Sequence, residues 1–173
     1  NQGSTRQRLE DFKAAVRTVY ASTVSEEALY YRKRRGLLDK DEQMALLVQR
    51  VSGAQHARLY FPNIAGVGFS YNPYVWSPEI NPKAGMLRLV FGLGTRAVDR
   101  SDDDYTRIVA LNEPMLRPEG STKEQKKYSQ QKVDVIDLDG NRLISMPVQE
   151  IVPQCEGIPL DLFVVQDFEA ERF

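Results

Sequence analysis

The chain has 173 residues and a formal net charge of −1, from 23 Lys and Arg against 24 Asp and Glu. Hydrophobic residues make up 42% and charged residues 27%, the balance of an ordinary globular chain long enough to bury a core. The missing basic excess argues against a nucleic-acid binder, the single cysteine Cys155 excludes an intramolecular disulfide and a thiolate zinc cage, and no apolar stretch is long enough to span a bilayer. These features predict a cytoplasmic protein. The polar start from Asn1 to Arg8, without an initiator Met, predicts a piece of a larger one.

Leu9, Phe12, Val16 and Val19 recur at helical spacing over Thr5 to Tyr20 and form one apolar stripe. Thr23 with Glu26 has the form of a capping box and predicts a second helix, ending near Gly36. The basic run Arg32 to Arg35 at that end suits the negative end of the helix dipole. Phosphate contact is its other reading. Met44 to Val51 is short and apolar and predicts a buried strand. The polar stretch Gly53 to Arg58 reads as a loop, with the lone histidine, His56, exposed in it.

Ile64 to Tyr71 predicts a strand with one bulky face (Ala65, Val67, Phe69, Tyr71) and one nearly bare (Gly66, Gly68, Ser70). A bare face commonly marks the close approach of a backbone or a ligand. Pro73, Pro78 and Pro82 make Asn72 to Pro82 a stiff loop around Trp76. Met86 to Phe91 predicts the next strand, running into Gly92-Leu93-Gly94, and Tyr105 to Leu111 another. Thr122 to Gln131 reads as a polar surface helix. Val133 to Leu138 and Arg142 to Met146 flank Asp139-Gly140 as a hairpin.

Two helices followed by strands with hairpin-sized loops predict α+β with a mainly antiparallel sheet, the two N-terminal helices packed on one face. The expected core holds Leu9, Phe12, Val16, Val67, Phe69, Leu87, Leu89 and Phe91. Strand alternation puts Arg88 on the face of Met86 and Val90. A strand ending in glycines lets backbone N–H groups approach a phosphate, and Arg96 and Arg100 follow to neutralise charge.

Four segments carry a resemblance. Ala28 to Gly36 (Ala-Leu-Tyr-Tyr-Arg-Lys-Arg-Arg-Gly), the strand ending in Val48-Gln49, Ala65 to Ser70 followed by Asn72-Pro73, and Gly92-Leu93-Gly94 resemble, in order and approximate spacing, the N-terminal ATP-binding domain of phosphoenolpyruvate synthases and pyruvate phosphate dikinases. The resemblance implies the C-terminal part of an ATP-grasp domain, with ATP between two α+β subdomains. It places that subdomain at 1–120 and a C-terminal extension with the hairpin at 121–173. It implies that Gln49 lies beside the adenine, the other reading being an edge-strand glutamine in solvent. Gly92 and Gly94 would lie under the phosphates, with Thr95 and Arg96 beside them. ATP and Mg²⁺ are the implied cofactors. The implied partners are the missing N-terminal half of the ATP-grasp domain and downstream phosphohistidine and pyruvate-binding domains of the same protein. No nucleic acid and no membrane are expected. His56 falls in none of the matching motifs and is not the phosphorylated histidine.

Two positions depart from the family pattern. Arg88 stands where the family commonly carries a metal-binding Glu, and Thr95 where a second acid often follows the glycines. A guanidinium cannot share a Mg²⁺ oxygen shell, so Arg88 is expected to contact phosphate and Asp99 to hold the metal, with Asp102, Asp103 and Asp104 as further candidates. In the free chain Arg88 is expected to pair with a carboxylate, Asp99 first. The departures keep a second function open: a non-catalytic nucleotide-sensing or interaction module. A third is an interaction domain whose proline loop and Trp76 face a neighbour.

Overall fold

A computed structural model describes residues 3–98, 104–155 and 157–159. The chain is α+β and divides into two compact units, Asn1–Val51 and Ser52–Phe173.

The first unit holds α1 (Thr5–Ser22) and α2 (Glu26–Arg34). Ser4 caps α1 by accepting the Gln7 N–H at 3.2 Å. Ser25 caps α2, accepting the Ala28 N–H, so Thr23 is not the cap that its spacing from Glu26 predicts. Thr23 instead closes α1, its hydroxyl donating to the Tyr20 carbonyl at 2.7 Å. With so short a link, Thr23 belongs to the outgoing end of one helix and Ser25 to the incoming end of the next. Gly36 ends α2 as expected, at φ +65°. Neither helix carries a buried residue, and Leu9 and Phe12 are exposed and Val16 half-buried, so the expected core role of all three is overturned.

Met44 to Val51 is not a strand. Residues 41–53 hold no regular element, and Leu47 and Val48 are exposed. Apolar composition favours a pleated, half-buried surface, but a strand exists only once its backbone groups find a partner strand.

The second unit contains two antiparallel sheets. One has the order β1 (Ala54–His56), β2 (Leu59–Phe61), β6 (Lys132–Asp137), β7 (Arg142–Pro147). The other has the order β3 (Ala65–Phe69), β4 (Met86–Val90), β5 (Arg107–Ala110). Short helices α3 (Thr95–Val98), α4 (Thr122–Lys127) and α5 (Val148–Ile151), with 3-10 turns at Pro82–Ala84 and Val152–Gln154, complete the described elements.

The expected loop at 53–58 is a hairpin. Two three-residue strands pair His56 with Leu59, and Ala57 takes a left-handed φ of +48° in the turn. His56 is half-buried rather than exposed, its ring 4.7 Å from that of Phe61. The predicted hairpin at Asp139-Gly140 is present, with Asp137 opposite Arg142. Its positive-φ residue is Asn141 rather than Gly140.

Leu59, Phe61, Phe91, Leu93, Val133, Val135, Ile151, Cys155 and Ile158 form one buried cluster. On β4 the buried residues are Met86 and Val90, while Leu87 and Leu89 are half-buried, so the core face is the one Arg88 shares. Val67 is half-buried and Phe69 exposed, against expectation. The bare face of β3 lets side chains of the neighbouring strand lean in: Gly66 stands opposite Leu89 and Gly68 opposite Leu87, and a Cβ on Gly66 would meet the Arg88 carbonyl and, at 2.8 Å, Leu89 Cδ2.

Cys155 is buried and donates its thiol hydrogen to the Ile151 carbonyl, and burial pushes the thiol pKa up. The unfolded thiol therefore ionises first as pH rises, and this group's contribution to stability falls from the ordinary thiol range upward. In thiol labelling at about pH 8, Cys155 should react slowly in buffer and fast in denaturant; equal rates would contradict its burial.

Candidate functional site

β4 delivers the chain into Phe91 and Gly92-Leu93-Gly94, and β6 holds that segment in place. The Phe91 N–H donates to Gln130 Oε1 at 2.9 Å, and Gln130 Nε2 returns a bond to the Phe91 carbonyl, so one side chain supplies the pairing of a strand. Gly92 adopts φ +91°, and a Cβ there would collide with Val133 Cγ1 and crowd the Asp134 carbonyl. Only glycine combines that backbone with that closeness. The Leu93 N–H donates to the Asp134 carbonyl at 2.9 Å, with the Leu93 side chain in the core. Gly94 is different: its φ is not positive, and a Cβ would meet only Ala65 Cβ at an ordinary 3.4 Å.

Thr95 and Arg96 open α3 and are bound to the same strand. The Thr95 hydroxyl donates to Asp134 Oδ2 at 2.6 Å. Arg96 Nε lies 2.8 Å from Asp134 Oδ1, its NH1 3.2 Å from Asp104 Oδ2, and its NH2 2.6 Å from the Ser145 hydroxyl. Asp104 accepts further bonds from the backbone N–H groups of Tyr105, Gln131 and Lys132. The side chains of Arg96, Asp104 and Asp134 are only 12%, 3% and 13% exposed, so this is a largely buried ion network. One cation bridging two carboxylates, with backbone donors on the remaining oxygens, offsets most of the desolvation cost.

Arg88 lies between Val67 and Ile108 on the face of Met86 and Val90, as alternation predicts. Its Nε donates to the Thr106 hydroxyl at 3.4 Å. Gln49 lies in the first unit, exposed within 41–53. Asp99, Asp102 and Asp103 lie outside the described residues. The structure thus brings together Gly92, Gly94, Thr95 and Arg96. It adds Asp134, Gln130 and Ser145, which sequence reasoning missed, and gives Asp104 a role in an ion pair. Asp134 reads in the sequence only as the polar position of an alternating strand, and its partner is 38 residues away.

The described acids around Gly94 do not suit Mg²⁺. Asp104 and Asp134 are occupied by Arg96 and backbone N–H groups, and among the described residues no cluster of three or more His, Cys, Asp or Glu side chains could hold a metal. Nor is any helix among the described residues long and apolar enough to cross a membrane.

The strand β4 thus ends in a conformationally obligate glycine, followed by a turn fixed by β6 and a short helix. Residues 1–150 match the family model of the pyruvate phosphate dikinase AMP/ATP-binding domain, and the chain belongs to that family. No curated protein and no solved structure matches the chain.

The two glycines should respond differently. Gly92→Ala is expected to lower stability by roughly 2–4 kcal/mol, and Gly94→Ala by less than about 1 kcal/mol, in urea unfolding. Arg96→Ala leaves two buried carboxylates without their cation and should cost about 3 kcal/mol. Equal stability of Gly92→Ala and wild type would contradict the packing described.

Proposed function

We propose that this chain is the ATP-binding portion of a phosphotransferase of the phosphoenolpyruvate synthase and pyruvate phosphate dikinase kind, built as an ATP-grasp subdomain. In the complete protein a phosphoryl group would pass from ATP to a histidine on another domain. The observation that carries this reading is the Gly92–Gly94 segment, placed at the end of β4 and tied down by β6 within a chain of the AMP/ATP-binding family. Gly94 would face the phosphates, where the absent side chain allows close approach. Thr95 and Arg96 would act beside it, Arg96 mainly by holding the loop through Asp134 and Asp104. Gln49 would meet the adenine, and the missing half of the domain would supply further phosphate ligands. Catalysis of this kind rests on positioning and charge neutralisation. Mg²⁺ would supply part of that neutralisation, and Asp99 is the residue proposed to hold it.

Arg88 and Thr95 favour a second reading. Both stand at usual acidic positions of the family and both are engaged with protein groups, Arg88 with Thr106 and Thr95 with Asp134. A module that binds nucleotide without turnover would tolerate that. Metal dependence separates the two.

The test is incubation of the protein that carries this chain, with its neighbouring domains, with ATP labelled on the transferred phosphate. Acid-labile, base-stable label on a histidine is expected, and its loss without Mg²⁺; nucleotide binding with no label and no Mg²⁺ dependence would select the sensing module. Gly94→Ala should weaken ATP binding about ten-fold or more while folding normally. Arg88→Ala should weaken ATP binding, and Arg88→Glu should make the remaining binding more dependent on Mg²⁺. Unchanged affinity in both folded variants would place Arg88 outside the site.

A further inference from the structure

We propose that the C-terminal end of α2 binds a phosphate chain through Arg34 and Arg35, independently of the role of Gly92–Gly94. Charge is segregated along this helix. Glu26 and Glu27 occupy its first turn, while Arg32, Lys33 and Arg34 occupy its last and Arg35 is the C-cap. The helix dipole accounts for cations there, but the terminus is already satisfied by other means. Gly36 takes the left-handed conformation, the Leu37 N–H donates to the Arg32 carbonyl at 2.9 Å and the Gly36 N–H to the Lys33 carbonyl at 3.2 Å. That is a Schellman closure of the last carbonyls. Arg32 is also consumed internally, with its Nε 2.9 Å from Glu42 and its NH2 donating to the Leu37 carbonyl.

Lys33, Arg34 and Arg35 remain. Among the described residues none of them has a carboxylate partner. In a chain of net charge −1 this is a local concentration of charge rather than an average property. The two arginines are nevertheless held in place. The Arg34 guanidinium carbon lies over the Tyr30 ring, 5.8 Å from its centroid, and that of Arg35 over Tyr31 at 5.5 Å. A guanidinium held near a ring face by this attraction still has its N–H fork available for bidentate contact with oxyanions. Tyr31, Arg34 and Arg35 line one concavity together. Two adjacent forks offer donors enough for the many oxyanion oxygens of a phosphate chain. The short helix and the neutral balance of the whole chain disfavour a nucleic-acid backbone. The ligand chemistry is a polyphosphate, either of a nucleotide or free.

Calorimetric titration of the full chain with inorganic tripolyphosphate at low salt tests this. Saturable binding is expected, with Arg34→Gln/Arg35→Gln about ten-fold weaker and its salt dependence shallower. ATP titrated in parallel identifies the source: an equal loss points to nucleotide phosphates, and ATP binding unchanged beside lost tripolyphosphate binding points to a free phosphate chain. Absence of tripolyphosphate binding in the wild type, or equal affinity in the glutamine variant with helicity intact, overturns the proposal. If the glutamine pair disturbs α2, Arg34→Lys/Arg35→Lys decides. It keeps charge and helix propensity but not the fork, so unchanged affinity there overturns the proposal and weakened affinity supports it.

Discussion

Arg96 lies between two carboxylates that reach it from different parts of the chain, Asp134 on β6 and Asp104 ahead of β5, and its NH2 donates to Ser145 on β7. The three charged side chains are nearly removed from water, so none tolerates loss of its partner cheaply. Through this contact α3 and the glycine segment that follows β4 are joined to the four-stranded sheet. Gln130 and the Asp134 carbonyl complete the attachment by binding Phe91 and Leu93. The left-handed Gly92 is the backbone counterpart: the segment can lie this close to Val133 only where no Cβ intervenes.

This arrangement divides the work within one short motif. Gly92 is structural, spent on the approach of β6, whereas Gly94 has ordinary backbone geometry and no crowding, so its lack of a side chain is not demanded by the fold. We propose nucleotide binding as the reason for glycine there, in a family defined by AMP and ATP binding. Arg96, which charge alone suggests as a phosphate ligand, is turned toward protein carboxylates. Its influence on a nucleotide would pass through the position of the loop.

Elements whose signal is local were legible in the sequence. α1, β3, β4, β5 and the hairpin of β6 and β7 follow from periodicity, alternation and an Asp-Gly turn. The same logic failed where structure depends on distant partners. Met44 to Val51 has strand composition and no strand, while β1 and β2 are too short and too polar at Gln55 and His56 to show alternation. The stripe on α1 predicted burial that the helix does not have. On β4, alternation correctly grouped Arg88 with Met86 and Val90, yet the wrong face was expected as core, since alternation does not say which face a distant element such as α3 packs against. In the candidate site the glycines were legible through resemblance. Asp134 and Gln130 were not, since nothing near them in sequence marks a partner some forty residues back.

We propose that nucleotide phosphates meet this chain at the loop of Gly92 to Arg96 held by β6, with Gly94 facing them. Amide hydrogen exchange with and without ATP, followed for the peptide spanning residues 91–97 in the protein that carries this chain, tests it most directly. ATP is expected to slow exchange in that peptide more than in the β6–β7 hairpin that supports it. Unchanged exchange at 91–97, with protection appearing elsewhere, would contradict it.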